Sequence, residues 1–356
     1  MKISLSDRAG LSARSRWLWV TAAAAVVLFG GAAAFGIAAY SNAQDSRSAG
    51  EVLTGDAASA GIAAVSESES DAPRIVFRNT ALGDGYGFVA AVPLADPAGV
   101  RVLTDVSCDR VYATNKYEMC LRVKRGVVTT FTADLLDSRG ALVKSWPLPG
   151  IPSRTRISAD SGLVSFSAFI TGESYGTTGF GIMTQIAEVT GADSGPLEDF
   201  ALSVGGEPIT AADRNVWGVT FTSDPNVFYA TAASGGRTWL VHGDRAARTL
   251  VAIRDGVECP SVSPDGTHIA YKKIVSTTPT TTWTVAVLDL ATNDEVVLPE
   301  PNSVDDQVEW LNDSTVIYGV LRADGSGDSD VWSAPADGSA APSLLIEHAW
   351  SPAVIR

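Results

Sequence analysis

Residues 261–271 read SVSPDGTHIAY. A short apolar opening, a Pro264-Asp265-Gly266 turn and a second apolar run describe two strands joined tightly. The Asp265 carboxylate accepts backbone N–H groups just ahead of it, while Gly266 takes positive φ without a steric penalty. WTVAVLDL (283–290) and EVVLPE (295–300) follow at strand length. The unit therefore reads as strand, turn, inner strand, third strand and fourth strand.

Weaker copies lie on both sides of it. RISADSGLVSF (156–166) puts Asp160 at the turn, VTFTSDPNVFYA (219–230) puts Asp224 there, and VEWLNDSTVIYG (308–319) puts Asp313 there. VSCDRVYATNKYEMCLRV (106–123) supplies Asp109, with a longer hairpin after it. Successive turn aspartates are separated by 51, 64, 41 and 48 residues, close to the ~40–50 of a four-stranded propeller blade. The long interval predicts an insertion in the blade that holds residues 167–216. Residues 73–356 then divide into six blades. AWSPAVIR (349–356) carries the Trp-Ser-Pro that opens a repeat, and IVFR (75–78) supplies the strand that this opening lacks. The C-terminal strand is expected to complete the first blade and remove an exposed edge.

SVSPDGTHIAY resembles the repeat of TolB-type six-bladed β-propellers, SPDG being its specific part. CPSVSPDGTHIAYKK, SVDDQVEW and AWSPAVIR look like actinobacterial exported proteins labelled TolB-like. The resemblance covers residues 73–356 and implies the fold; such propellers host many roles. TolB proper carries an α/β domain before its propeller and docks a peptidoglycan-associated lipoprotein. Only a tether precedes residue 73 here, so that partner is not carried over. Prolyl peptidases, which share the repeat, add a hydrolase domain with a Gly-x-Ser-x-Gly elbow; that pattern occurs at 172–176 (GESYG), but residues 73–356 are taken up by six blades and none remain to build that domain.

Upstream, Trp17 to Tyr40 runs for 24 residues without a charge, behind Lys2, Arg8, Arg14 and Arg16. About 20 helical residues span a bilayer's hydrocarbon core, and a basic flank stays in the cytoplasm. The reading is a cytoplasmic tail (1–16), a transmembrane helix (17–40), a flexible tether (41–72) and an extracytoplasmic propeller (73–356). Ser41-Asn42-Ala43 also offers the pattern of a cleaved signal peptide, giving a secreted protein instead. Either route exports the domain. The fold class is thus all-β: a six-bladed propeller of four-stranded blades, preceded by one membrane helix and a disordered linker.

A net charge of −14 repels phosphate backbones, which argues against nucleic-acid binding. Three His and three Cys without ligand spacing argue against a metal site, and nothing calls for a cofactor. Cys108 and Cys120 flank a hairpin in one blade, which predicts a disulfide in an exported protein and leaves Cys259 as a buried thiol. Asp193-Ser194-Gly195 superficially matches a protease nucleophile loop, but His242, His268 and His348 are scattered, so an inter-strand turn is the reading.

The candidate ligand-binding residues are Asp305, Asp306 and Glu309 in SVDDQVEW, with Tyr175 and Phe180 in the Gly-rich stretch 171–181. Arg154 and Arg156, near a blade opening, form a weaker anion-binding candidate. Three functions follow. The first is a membrane-tethered, non-catalytic binding or scaffold module for a cell-envelope protein, peptide or glycan. The second is a hydrolase or lyase using acids at the propeller mouth, which needs a second carboxylate opposite the first. The third is the sensor part of a membrane signalling complex.

Overall fold

The structure is a computed structural model that describes residues 72–170 and 181–356. The expected tail, membrane helix and nearly all of the tether lie outside the described residues, as do Tyr175 and Phe180. Among the described residues no helix is long and apolar enough to cross a membrane.

The described chain folds into six sheets, antiparallel but for one strand pair, arranged as the blades of a propeller. Blade one contains β1 (Arg74–Asn79), β2 (Phe88–Pro93) and β3 (Val102–Ser107). Blade two contains β4 (Arg110–Ala113), β5 (Tyr117–Lys124), β6 (Thr130–Asp137) and β7 (Leu142–Leu148). Blade three contains β8 (Ile151–Ile157), β9 (Leu163–Ile170), β10 (Gly181–Glu188) and β11 (Asp193–Pro196). Next come β12 (Ala201–Val204) and β13 (Glu207–Ile209), before blade four: β14 (Asn215–Phe221), β15 (Val227–Ser234), β16 (Arg237–Asp244) and β17 (Thr249–Asp255). Blade five holds β18 (Glu258–Val262), β19 (His268–Ser276), β20 (Thr282–Asp289) and β21 (Glu295–Val297). Blade six holds β22 (Glu309–Asn312), β23 (Thr315–Leu321), β24 (Ser329–Pro335) and β25 (Ser343–Ile346). The last strand, β26 (Ala349–Ile355), returns to blade one and pairs antiparallel with β1, setting Ile75 opposite Val354.

Two expectations change in detail. The first strand of each unit, not the second, is the innermost: β26, β4, β8, β14, β18 and β22 each touch the next around the ring. The insertion does not enlarge a loop of blade three alone. Its β12 pairs in parallel with β17, and β13 pairs with β12, so blade four carries six strands while the others carry four.

Each pair of neighbouring blades buries its own apolar cluster. Met119, Leu121 and Leu135 of blade two meet Val164 and Phe166 of blade three. Val287 of blade five meets Trp310 and Tyr318 of blade six. Alternating strand residues project to opposite faces, so every blade is apolar on both sides and has to stack. Trp310 is 1% exposed, and its indole N–H donates to the Ser261 carbonyl of blade five at 2.8 Å.

The turns between first and second strands explain the acidic punctuation. Asp265 accepts from the Thr267 amide at 3.0 Å and from Ser263 Oγ at 2.5 Å, and Gly266 has φ +74°. Asp160 repeats this with Gly162 and Ser158, and Asp224 accepts from the Asn226 amide. Asp313 and Asp109 behave differently. In blade six the turn acceptor is Asn312, which takes the Ser314 amide, while Asp313 reaches sideways to the Asp265 amide of blade five at 3.0 Å. Asp109 lies before β4, at the far end of that hairpin, and accepts from the Val123 amide at 2.7 Å. The blade-two turn itself is built by Thr114, whose hydroxyl accepts the Tyr117 amide. Asp193 and Ser194 sit in the outer strand β11 rather than in a turn.

Candidate axial site

The inner strands and the segments beside them bring charged side chains from blades two, three, five and six to the axis. On β8, Arg154 and Arg156 are two residues apart and share one face of the strand. Both are buried. Across the ring, the segment leading into β22 supplies Asp305, Asp306 and Glu309. The acids and the arginines, separate candidates in the sequence, are partners.

Arg156 pairs with Glu309; its other nitrogen donates to Ser261 Oγ at 3.1 Å and to the Val308 carbonyl. Its guanidinium also lies over the Tyr112 ring, 4.7 Å from the centroid. Burial pushes the Tyr112 hydroxyl up to about 12. Arg154 donates to the Asp305 carbonyl at 3.1 Å and to its carboxylate at 3.3 Å. Lys272 of β19 also bonds the Asp305 carboxylate.

Asp306 is fully buried and holds the ring together through backbone groups. It accepts from the Gly319 amide of β23 at 3.1 Å and from the Ser351 amide of β26 at 2.8 Å, with Arg110 of β4 at 3.5 Å. Burial raises its pKa, and Arg110 and Arg154 offset only part of that. Desolvation, with Arg154 nearby, lowers Arg110 to about 10. Glu309 and Asp306 are therefore internal braces, each already supplied with donors.

Asp305 is the exception, with 56% of its side chain exposed. Burial pulls its pKa up, but Lys272 and Arg154 outweigh this and hold it below the ordinary carboxylate range. Around it lie residues that the sequence did not single out. Glu258 sits opposite Lys272 in the β18–β19 register and accepts the Trp283 indole N–H at 3.2 Å. Its pKa is raised by desolvation, against the pull of Lys272. The Lys272 ammonium lies 4.2 Å from the Trp283 ring centroid, and Arg110 stacks 5.4 Å from that of Trp350. The available signal was the pair of arginines at alternate positions of the first strand IPSRTRI, which puts both charges on one face. Nothing in single-strand patterns named Lys272, Glu258 or Trp283.

Cys108 and Cys120 form a disulfide with Cα atoms 5.3 Å apart, joining the loop before β4 to β5; Cys259 is free and buried. Among the described residues no group of three His, Cys, Asp or Glu side chains is arranged to hold a metal ion.

No protein-family model matches this chain, and no curated protein matches it. Solved structures do. TolB from Acinetobacter baumannii superposes with a TM-score of 0.52 at 17% identity, over 80% of this chain and 66% of that one. This chain thus spans just under two thirds of that TolB chain. A chain of the nidogen/laminin complex gives a TM-score of 0.52 at 8% identity, over 79% of this chain and 98% of that one. At such identities the likeness defines the fold. The protein is a six-bladed β-propeller of TolB-like architecture.

Proposed function

We propose that this protein is an extracytoplasmic propeller, tethered by residues 17–40, that binds a cell-envelope protein, peptide or glycan at its axial mouth without turning it over. The observation carrying this reading is the charge lattice across the axis. Asp306 and Glu309 are consumed as braces, and the mouth presents a fixed mosaic of Asp305, Arg110, Trp283 and Trp350. Tryptophan and arginine on a rigid support are the residue types that dominate binding energy at interfaces. The disulfide supports an oxidising compartment, hence export. Affinity capture from solubilised native membranes tests the reading. The full chain should bring down an envelope component, and Asp305→Lys, which reverses the one exposed axial carboxylate among the described residues, should lose it about tenfold or more. Equal capture by the variant would refute the mouth as the site.

One observation favours a second reading, a hydrolase or lyase. Lys272 stands beside two carboxylates on different segments whose environments push them apart, Asp305 down and Glu258 up. Such a split suits a base and an acid. On this reading Glu258→Gln would abolish turnover of a captured glycan or peptide while leaving capture intact; on the first reading there is no turnover to lose.

A further inference from the structure

The three most exposed large apolar side chains among the described residues lie in two loops of adjacent blades. Leu82 is 72% exposed, Val128 is 75% exposed, and Val127 is fully exposed. Leu82 lies between β1 and β2 of blade one, and Val127 and Val128 lie between β5 and β6 of blade two. Strand direction alternates through each blade, so the links between second and third strands all emerge on one face of the ring. That face also carries the axial mouth. The disulfide fixes β5 to the segment that joins blades one and two. Tyr86 extends the patch, with the Arg78 guanidinium 4.7 Å from its ring centroid.

Charge separates these tips from the other exposed aliphatics of the same face. Val275 and Leu321 are also exposed, but the cations beside them are engaged: Lys273 bonds Glu295, and Arg322 bonds Asp330 at 2.6 Å. Arg125, two residues before Val127, is exposed and has no ion-pair partner among the described residues. Lys124 is half exposed, 3.5 Å from Asp134. Asp84 is the one acid in the two loops. A chain of net charge −14 therefore places aliphatic tips beside an unpaired cation at this rim.

The chain also enters the ring at this sector, because its first strand, β1, belongs to blade one. Residues 41–72 join it to the uncharged run 17–40, a link that reaches about 100 Å when extended.

We propose that the rim of blades one and two seats on the anionic surface of a lipid bilayer. Leu82, Val127 and Val128 enter the headgroup boundary, and Arg125 meets lipid phosphate. The proposal rests on the anchor read in residues 17–40, which ties blade one to the membrane. Aliphatic side chains beside cations are the chemistry of an interfacial contact with anionic lipid. A contact confined to two blades tilts the ring and leaves the mouth open to a partner.

The test uses the full chain in nanodiscs of phosphatidylglycerol or phosphatidylcholine, with a photoreactive amino acid at one position at a time. Positions 82 and 127 sample the rim. Position 280, in the loop after β19, samples the far side of the same face, and position 337 samples the opposite face. Mass spectrometry of the adducts should find lipid at 82 and 127 in phosphatidylglycerol, and none at 280 or 337. Val127→Asp with Val128→Asp should lower the adduct at 82 about tenfold or more, since each buried aliphatic side chain contributes at least that factor. Arg125→Glu should lower it about fivefold in phosphatidylglycerol and leave it unchanged in phosphatidylcholine. No lipid adduct at 82 or 127, equal adducts at all four positions, a second copy of the chain in place of lipid, or indifference to the variants would each overturn the proposal. A chain that travels with the disc without lipid adducts keeps the anchor and loses the docking rim; one that leaves the disc loses the anchor as well.

Discussion

Arg156 of blade three and Glu309 of blade six form an ion pair across the centre of the ring, with side chains only 6% and 7% exposed. The two residues are 153 positions apart, and the blades that carry them lie opposite one another. The pair therefore couples ring closure to charge burial. Two buried charges cost several kcal/mol each in desolvation, which their attraction and the additional bonds to Ser261 and Val308 must offset.

Removing one partner exposes that cost. Glu309→Ala should destabilise the propeller by about 3–5 kcal/mol, because Arg156 is left charged and unpaired. Arg156→Met combined with Glu309→Leu should recover most of the loss. Denaturant midpoints of the two variants decide it. A double variant as unstable as the single one would contradict the account.

The disulfide closes a short loop with a sequence separation of 12. Cys108→Ser with Cys120→Ser should lower stability by about 2–3 kcal/mol in the chain-entropy picture. In protein from an oxidising compartment, alkylation should find only Cys259 reactive after denaturation. Modification of all three cysteines without reductant would refute the bond.

Closure depends on β26. Deleting residues 349–356 removes the partner of β1 and the Ser351 amide held by Asp306. The shortened chain should lose cooperative unfolding and self-associate through the bare β1 edge. Sedimentation of a monomer with an unchanged melting profile would count against strand exchange as the lock.

Stability should also fall as pH rises. Desolvation lifts Glu198 to about 8 although the Thr184 and Val216 amides donate to it. Its folded pKa exceeds the unfolded value of about 4.3, so the folded state holds the extra proton between these limits. The associated stability is complete below pH ~4.3 and is lost as pH rises through about 8. Glu198→Gln keeps an acceptor oxygen and should flatten that slope in melting temperatures between pH 5 and 8. An unchanged slope would assign it to other groups.

Much of the ring was legible because its repeats are written in turn chemistry. Ser-Pro-Asp-Gly at 263–266, the matching aspartates at 160 and 224, and the Trp-Ser-Pro at 350–352 locate blades and their closure. Asp109 misled because an acid at a strand opening looks like an acid at a turn. The outer strands β12 and β13 were hidden in an interval whose length alone signalled them. The site was half legible. Asp305, Asp306 and Glu309 stood out as a cluster, and Arg154 and Arg156 as a pair, but their partnership exists only once six blades close. Strand periodicity gives the face a side chain takes, not the strand that faces it across an axis.

The central claim, binding at the axial mouth, is tested most directly by site-specific crosslinking in intact cells. A photoreactive amino acid at position 305 samples the mouth, and one at position 337, in the exposed turn after β24, samples the opposite face. The account predicts a discrete adduct of an envelope component from position 305 and none from 337. Adducts from 337 alone, or equal adducts from both, would contradict it.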